Sequence, residues 1–268
     1  MVIHMSKWTA NKIKNLKGGQ KVVCLTAYDY STARIVDEAG IQMILVGDSL
    51  AMTMLGYKTT LPVTIEEMLH HTAAVVRGVK DALVVADMPF MSYQASVEQA
   101  IRNAGRFIKE AGAAAVKIEG GAFRVPVVKA LVENGIPVLG HIGLTPQSIN
   151  EMGGYKVQGK KTKEAGLLLR DAKALEKAGV FAIVVECVPA ALGRDITRSV
   201  NVPTIGIGAG MHCDGQILVI HDLLGLYAEL TPKFAKRYAD LGGAMKKAFE
   251  SYKSEVEQGT FPAEEHSF

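Results

Sequence analysis

The chain has 268 residues, of which 49% are hydrophobic and 21% charged, and its net charge is +3. This composition is typical of globular proteins, and a chain of this length buries enough surface to fold without disulfide bonds. The small charge and scattered basic residues argue against a nucleic-acid partner, and the absence of any run of about 18 apolar residues argues against a transmembrane helix.

The cysteines and the N-terminal segment indicate a cytoplasmic protein. Cys24, Cys187 and Cys213 are odd in number and lie in apolar surroundings, which favours reduced thiols over a disulfide framework. We expect the acidic residue beside Cys187 to raise the pKa of its thiol and make it a poor nucleophile. The polar N-terminal segment has neither the apolar core nor the cleavage site of a secretion signal.

Eight short apolar runs rich in β-branched residues follow one another along the chain. Their hydrophobicity is continuous rather than alternating, which indicates strands covered on both faces, as in a parallel sheet wrapped by helices. The runs begin at Val22, Met43, Ala82, Ala115, Ile136, Ala182, Val202 and Gln216.

Segments with helical periodicity separate most of these runs. Several end in a glycine, such as Gly40 or Gly179, that is suited to the left-handed residue closing a helix. The predicted helices are Ser31–Ala39, Ile65–Val79, Ser96–Ala111, Phe123–Glu133, Glu164–Ala178 and a last one over Thr231–Ser251.

The repeated alternation of strand and helix predicts an α/β protein with a single (β/α)₈ TIM barrel. No linker or change in composition divides the chain, so we expect one catalytic domain over residues 1–268. An open, doubly wound sheet is the alternative, because the sequence of one chain does not prove closure.

Ionisable residues cluster where the predicted strands end, which is where barrel enzymes hold their active sites. The residues at these ends are Asp48, Asp87, Glu119, His141 and Glu186. Lys117 lies two residues before Glu119, so strand alternation points both side chains to the same side. Asp48 alone, which is followed by Ser49, is equally well interpreted as a helix cap or a partner in a loop salt bridge. For His141, a hydrogen-bonded structural histidine is the alternative to a site residue.

Several carboxylates converging on one mouth require a cation. Oxygen ligands without clustered cysteine or histidine select magnesium or calcium over zinc, and a small protein ligand set suits magnesium. The glycine-rich segment Gly206–Gly210 indicates a tight turn, with a phosphate-binding loop as the alternative.

Many segments resemble the ketopantoate hydroxymethyltransferase family, in order and over nearly the whole chain. Ala51 stands where glycine is expected in that family. The matching segments are TAYDY at Thr26–Tyr30, VGDSL at Val46–Leu50, LPVT at Leu61–Thr64, VADMPFMSYQ at Val85–Gln94, VKIEGG at Val116–Gly121, HIGLTPQS at His141–Ser148, GGYKVQG at Gly153–Gly159, VVECVP at Val184–Pro189, GIGAG at Gly206–Gly210 and CDGQILV at Cys213–Val219.

The resemblance implies a barrel similar to the phosphoenolpyruvate/pyruvate superfamily and a cytoplasmic homo-oligomer, typically a decamer. It implies transfer of a hydroxymethyl group from 5,10-methylenetetrahydrofolate to 3-methyl-2-oxobutanoate through a magnesium-stabilised enolate, on the pantothenate route to coenzyme A. The implied roles are magnesium ligands for Asp48, Asp87 and Glu119, substrate contacts for Asp48, Ser49, Asp87, Lys117 and His141, and general base for Glu186.

Two other functions are consistent with these patterns. The first is a magnesium-dependent carbon–carbon lyase of 2-oxo acids on the same barrel, although many such lyases use a cysteine on a mobile loop and no such motif follows the fourth run. The second is a non-catalytic barrel that binds a phosphorylated ligand through Gly206–Gly210, which leaves the acids at the strand ends unexplained.

Overall fold

The computed structural model describes residues 7–227 and 232–268. Eight parallel strands close into a barrel in chain order, and β8 pairs with β1. The predicted closed barrel is therefore confirmed, and the open-sheet alternative is wrong. The strands are β1 Val22–Thr26, β2 Met43–Val46, β3 Leu83–Asp87, β4 Ala115–Glu119, β5 Val138–Gly143, β6 Ala182–Glu186, β7 Thr204–Ile207 and β8 Gly215–Leu218.

Helices follow most of the strands, and those predicted between the strands have ends within two residues of their expected positions. In the part of the chain that the structure describes, no helix is long and apolar enough to cross a membrane. The helices are α1 Ala10–Lys14, α2 Tyr30–Glu38, α3 Leu50–Thr53, α4 Ile65–Gly78, α5 Val97–Lys109, α6 Val125–Glu133, α7 Ile149–Met152, α8 Thr162–Ala178, α9 Ala190–Ser199, α10 Ile220–Leu224 and α11 Leu241–Glu257.

The chain divides into two compact units. Described residues up to Val219 form the unit that holds the barrel, and those from Ile220 onward form the second, with α10 and α11. One catalytic domain over the whole chain stays a prediction. The last helix differs from its predicted range, which begins at Thr231, outside the described residues. Helix α11 instead starts after Asp240, whose side chain caps it by accepting a hydrogen bond from the Gly243 N–H.

Burial of the strands explains their continuous hydrophobicity. Every residue of β2, β3, β4 and β5 is buried, because barrel side chains cover one face and helices the other. Helix α4 illustrates the local signals, since Thr64 and Glu67 form a capping box at its start.

A buried aspartate, Asp214, stabilises the region where β8 pairs with β1 and closes the barrel. The Asp214 carboxylate accepts hydrogen bonds from Lys17 Nζ at 2.8 Å, the Gly18 N–H at 3.1 Å and the Thr204 N–H at 2.9 Å. Its carbonyl oxygen accepts from the Val22 N–H at 3.0 Å. Burial alone would raise the pKa of Asp214, but Lys17 and the two backbone donors outweigh burial and lower it. Asp214, which directly precedes β8, thus joins β7 and the segment before β1 through its carboxylate and β1 through its carbonyl oxygen.

We expect Asp214→Asn to lower the free energy of unfolding at pH 7 by about 1–3 kcal/mol, the usual range for hydrogen bonds to a charged group. Because the folded pKa lies below the ordinary value of about 3.9, the stabilisation is complete above that value and disappears as the pH falls through the folded pKa. Urea denaturation at several pH values measures the difference. Asp195→Asn, which changes an exposed aspartate on α9, is the control, and equal stability of the Asp214→Asn variant and the wild type at pH 7 would contradict the assignment.

Candidate active site

The acidic residues predicted from the sequence lie at one end of the barrel, where the parallel strands finish. Asp87, Glu119 and Glu186 are the last residues of β3, β4 and β6, and Asp48 lies two residues beyond β2. Most of the site is inaccessible to solvent, so its charges depend on one another for compensation. Among the site residues predicted from the sequence, those that are at most 4% exposed are Asp48, Asp87, Lys117, Glu119 and His141.

Lys117 is the centre of the charge network. Its Nζ donates to both carboxylate oxygens of Asp87 at 2.7 Å and lies 3.5 Å from Glu119 Oε1. Asp87 and Lys117 are paired positions on β3 and β4, and strand alternation turns Lys117 and Glu119 to the same side. One buried ammonium group therefore serves two carboxylates from neighbouring strands.

Asp48 adds a third carboxylate to this network. Its backbone N–H donates to Asp87 Oδ2 at 3.2 Å. Burial, followed by the charges of Asp87 and Glu119, raises the pKa of Asp48 well above its usual range. Burial also raises the pKa of Asp87, whereas Lys117 and His141 outweigh burial at Glu119 and lower its pKa. The three carboxylates outnumber the one ammonium group of Lys117, and a further cation would lower the electrostatic cost of ionising all three.

His141 connects the carboxylate cluster to Glu186. It lies within β5, two residues before the strand ends, and not at the end as the sequence suggested. Its Nε2 is 3.1 Å from Glu186 Oε2 and its Nδ1 is 3.5 Å from Glu119 Oε1, although neither contact has hydrogen-bond geometry. Burial alone would lower the pKa of His141, but the two carboxylates raise it to about 9. The imidazole is therefore positively charged at neutral pH.

Glu186 is the most accessible acid of the group, with 15% of its side chain exposed. Its backbone pairs with Gly143, which has a φ of +96°, and a β-carbon at Gly143 would collide with the Glu186 carbonyl oxygen. The next residue, Cys187, also has a positive φ, +46°. Burial and then the Glu186 charge raise the pKa of Cys187 to about 12, as expected for a poor nucleophile.

Ser49 lies at the edge of this arrangement. It is half-buried, and its Oγ is 2.8 Å from the Tyr28 hydroxyl. Its contact with substrate stays a prediction.

Two buried residues of the site were missed in the sequence analysis. Gln147 follows β5 and contacts both Asp48 and Glu119, and Tyr93 follows β3 and contacts Gln147 and the Glu119 backbone. Both lie in segments quoted above for the family resemblance, but in loops, where neither strand alternation nor helical periodicity reports burial. Their position could have been used as a signal, because polar residues in the loops that follow barrel strands often belong to the active site.

The donor set is compatible with magnesium. In the described ranges, no three acidic, histidine or cysteine side chains converge closely enough to ligate one ion directly. Magnesium commonly binds through one or two carboxylates together with water and substrate oxygens. Asp48, Asp87 and Glu119 supply hard oxygen atoms and surplus negative charge, and their joint role as ligands stays a prediction.

Comparisons with known proteins agree with the fold and identify a family. The sequence profile of ketopantoate hydroxymethyltransferase matches residues 7–264. The 3-methyl-2-oxobutanoate hydroxymethyltransferase of Carboxydothermus hydrogenoformans is 60% identical over 98% of this chain and 96% of its own.

Solved structures share the barrel fold. One is 2,3-dimethylmalate lyase, a member of the PEP mutase/isocitrate lyase superfamily, with a TM-score of 0.60 and 15% identity over 97% of this chain and 91% of that chain. Another is phosphonopyruvate hydrolase in complex with oxalate and Mg²⁺, with a TM-score of 0.61 and 13% identity over 96% and 93%.

We expect Lys117→Met to lower the free energy of unfolding by about 3–5 kcal/mol, because it leaves the buried Asp87 carboxylate without its cation. The double variant Lys117→Met/Asp87→Asn removes both charges and should be more stable than Lys117→Met alone. Urea denaturation at pH 7 with a chelator tests the pair, with Asp87→Asn completing the cycle. Additive effects of the two substitutions would show that the ion pair is not the dominant interaction.

Proposed function

Because the chain belongs to the ketopantoate hydroxymethyltransferase family and is therefore a hydroxymethyltransferase, we propose that it transfers a hydroxymethyl group from 5,10-methylenetetrahydrofolate to 3-methyl-2-oxobutanoate. The product would be ketopantoate, for pantothenate and coenzyme A biosynthesis. The observation that carries the proposal is a compact group of buried charges, centred on Lys117, that extends through His141 to the more accessible Glu186.

The substrate is an anion that becomes more negative at its keto oxygen when its C3 proton leaves. Lys117, with Asp48, Ser49 and Asp87 around it, would bind the 2-oxo acid. The ammonium group is held in place by Asp87 before substrate arrives, so it compensates developing negative charge without reorganisation.

A magnesium ion at Asp48, Asp87 and Glu119, held directly by one or two of these carboxylates and otherwise through water and substrate oxygens, would polarise the keto group and stabilise negative charge on its oxygen. Support for this role comes from the setting of Asp48, whose pKa is raised first by burial and then by the charges of Asp87 and Glu119, because a bound cation would offset both effects.

Glu186 would act as the general base that removes the C3 proton. Its partial exposure leaves it accessible to substrate, and His141 lies 3.1 Å from one of its oxygens. At this distance the imidazole restricts the orientation of the Glu186 carboxylate, and a base must be held within reach of the proton that it removes. C3 of the resulting enolate would attack the methylene carbon of the folate as one of its two C–N bonds breaks and that nitrogen takes up a proton. Water would then replace the second nitrogen on the methylene carbon, which gives the hydroxymethyl group of ketopantoate and releases tetrahydrofolate.

Homo-oligomerisation, folate binding and a cytoplasmic location remain predictions from the family resemblance and the sequence. The carbon–carbon lyase alternative is not proposed, because the family match extends over residues 7–264 and favours group transfer.

We expect Glu186→Gln to abolish exchange of the C3 proton of 3-methyl-2-oxobutanoate for deuterium, while binding of the 2-oxo acid and of magnesium is retained. Proton NMR in D₂O follows the exchange without folate, and calorimetry follows binding. Asp195→Asn, an exposed acid on the helix that follows Glu186, should exchange at the wild-type rate. Exchange at an unchanged rate in Glu186→Gln would exclude Glu186 as the base.

We expect Asp87→Asn and Glu119→Gln each to raise the magnesium concentration needed for half-maximal activity by at least about tenfold, since each removes a proposed ligand charge. Initial rates over a magnesium series measure the shift. Activity of the wild type that persists in excess chelator would contradict the metal requirement.

A further inference from the structure

Gln147 lies at the centre of the contacts around the carboxylates. It belongs to the 3₁₀ turn Pro146–Ser148 that follows β5, and only 5% of it is exposed. The turn directs its backbone N–H at Glu119 Oε2, 3.0 Å away. A loop residue thereby binds a carboxylate that belongs to the neighbouring strand β4.

The side-chain amide of Gln147 uses its full hydrogen-bonding capacity. Its Nε2 donates to Asp48 Oδ2 at 3.1 Å and to the Met88 carbonyl oxygen at 2.9 Å. Its Oε1 accepts from the Tyr93 hydroxyl at 2.7 Å and from Gln94 Nε2 at 3.1 Å. A primary amide has two donor hydrogens and two acceptor positions, so all four are occupied.

These partners determine which way the amide points. The Met88 carbonyl oxygen can only accept, so the nitrogen of Gln147 must face it, and the same nitrogen then meets Asp48. The reversed amide would place oxygen against both the Met88 carbonyl and the Asp48 carboxylate. Asp48 Oδ2 therefore accepts a hydrogen bond from Gln147, whereas Asp48 Oδ1 does not contact this amide.

A closed ring of hydrogen bonds keeps Gln147 aligned with Glu119. The Tyr93 hydroxyl accepts from the Glu119 N–H at 3.2 Å and donates to Gln147 Oε1, while the Gln147 N–H returns to the Glu119 carboxylate. Gln147 thus connects Asp48, which follows β2, to Glu119, at the end of β4, although β3 separates these two strands in the barrel.

We infer that Gln147 is a positioning residue that fixes the orientation of the Asp48 and Glu119 carboxylates toward a divalent cation, an inference that rests on the proposed function. Residues that orient metal-binding carboxylates affect metal affinity directly, because each carboxylate must otherwise lose rotational freedom when the ion binds. Gln147 need not touch substrate to have this effect.

The test is direct binding of Mn²⁺, used as a paramagnetic probe for the divalent site and measured by electron paramagnetic resonance without substrate. We expect Gln147→Met to weaken Mn²⁺ binding by about tenfold or more, because it keeps the length of the side chain and the backbone hydrogen bond to Glu119 but removes the side-chain hydrogen bonds to Asp48, Met88 and Tyr93. Thermal unfolding of the same samples verifies that the variant is folded. Affinity within about twofold of the wild type would overturn the inference.

A second variant covers a folding defect in Gln147→Met. Tyr93→Phe retains the buried ring and removes the hydroxyl that aligns Gln147 with Glu119, and we expect it to weaken Mn²⁺ binding by about threefold, the effect of one neutral hydrogen bond. The matched control is Gln20→Met, a glutamine-to-methionine change at an exposed position in the segment before β1, away from the strand ends that carry the carboxylates. Its Mn²⁺ affinity should equal that of the wild type, and an equal loss in Gln20→Met and Tyr93→Phe would contradict specific positioning.

The wild type separates this inference from the proposed function. If the wild type did not bind Mn²⁺, the divalent site itself would be refuted, and with it the proposed role of magnesium. Wild-type binding together with unchanged binding by Gln147→Met would leave the proposed function intact and refute only the role of Gln147.

Discussion

One buried ammonium group determines how the acidic end of the barrel is organised. Lys117 donates to both oxygens of Asp87 and lies close to Glu119, so its positive charge stabilises both carboxylates where they lie together away from water. The hydrogen bonds of Lys117 go to Asp87 and Glu119 and not to Asp48, and the pKa of Asp48 is raised well above its usual range. The charge that Lys117 leaves uncompensated is thus concentrated where the proposed chemistry needs a divalent cation.

Barrel closure brings this charge arrangement together from distant parts of the chain. Asp48 and Glu186 are far apart in sequence, yet both lie at the carboxyl ends of parallel strands, and these ends form one rim of the barrel. His141 bridges the remaining gap, because its two ring nitrogens face Glu119 and Glu186. The fold therefore separates two tasks, with excess negative charge on one side of His141 and an accessible carboxylate on the other.

The sequence predicted the barrel well because both of its signals are local and repeated. Continuous apolar runs located the strands, and the same runs placed Asp87, Glu119 and Glu186 at strand ends. Gln147 was missed because its importance arises from partners on other strands and in other loops. The start of the last helix was misplaced because helical periodicity extends past a cap such as Asp240, whose effect depends on its backbone geometry.

Gly143 limits how this active site can change in evolution or by engineering. The β5 backbone lies so close to the Glu186 carbonyl oxygen, with a left-handed φ, that any side chain at position 143 would push the two strand ends apart. Any substitution at position 143 would therefore displace Glu186, the proposed base, together with its strand. Substitutions in the loops beyond the strand ends avoid this collision.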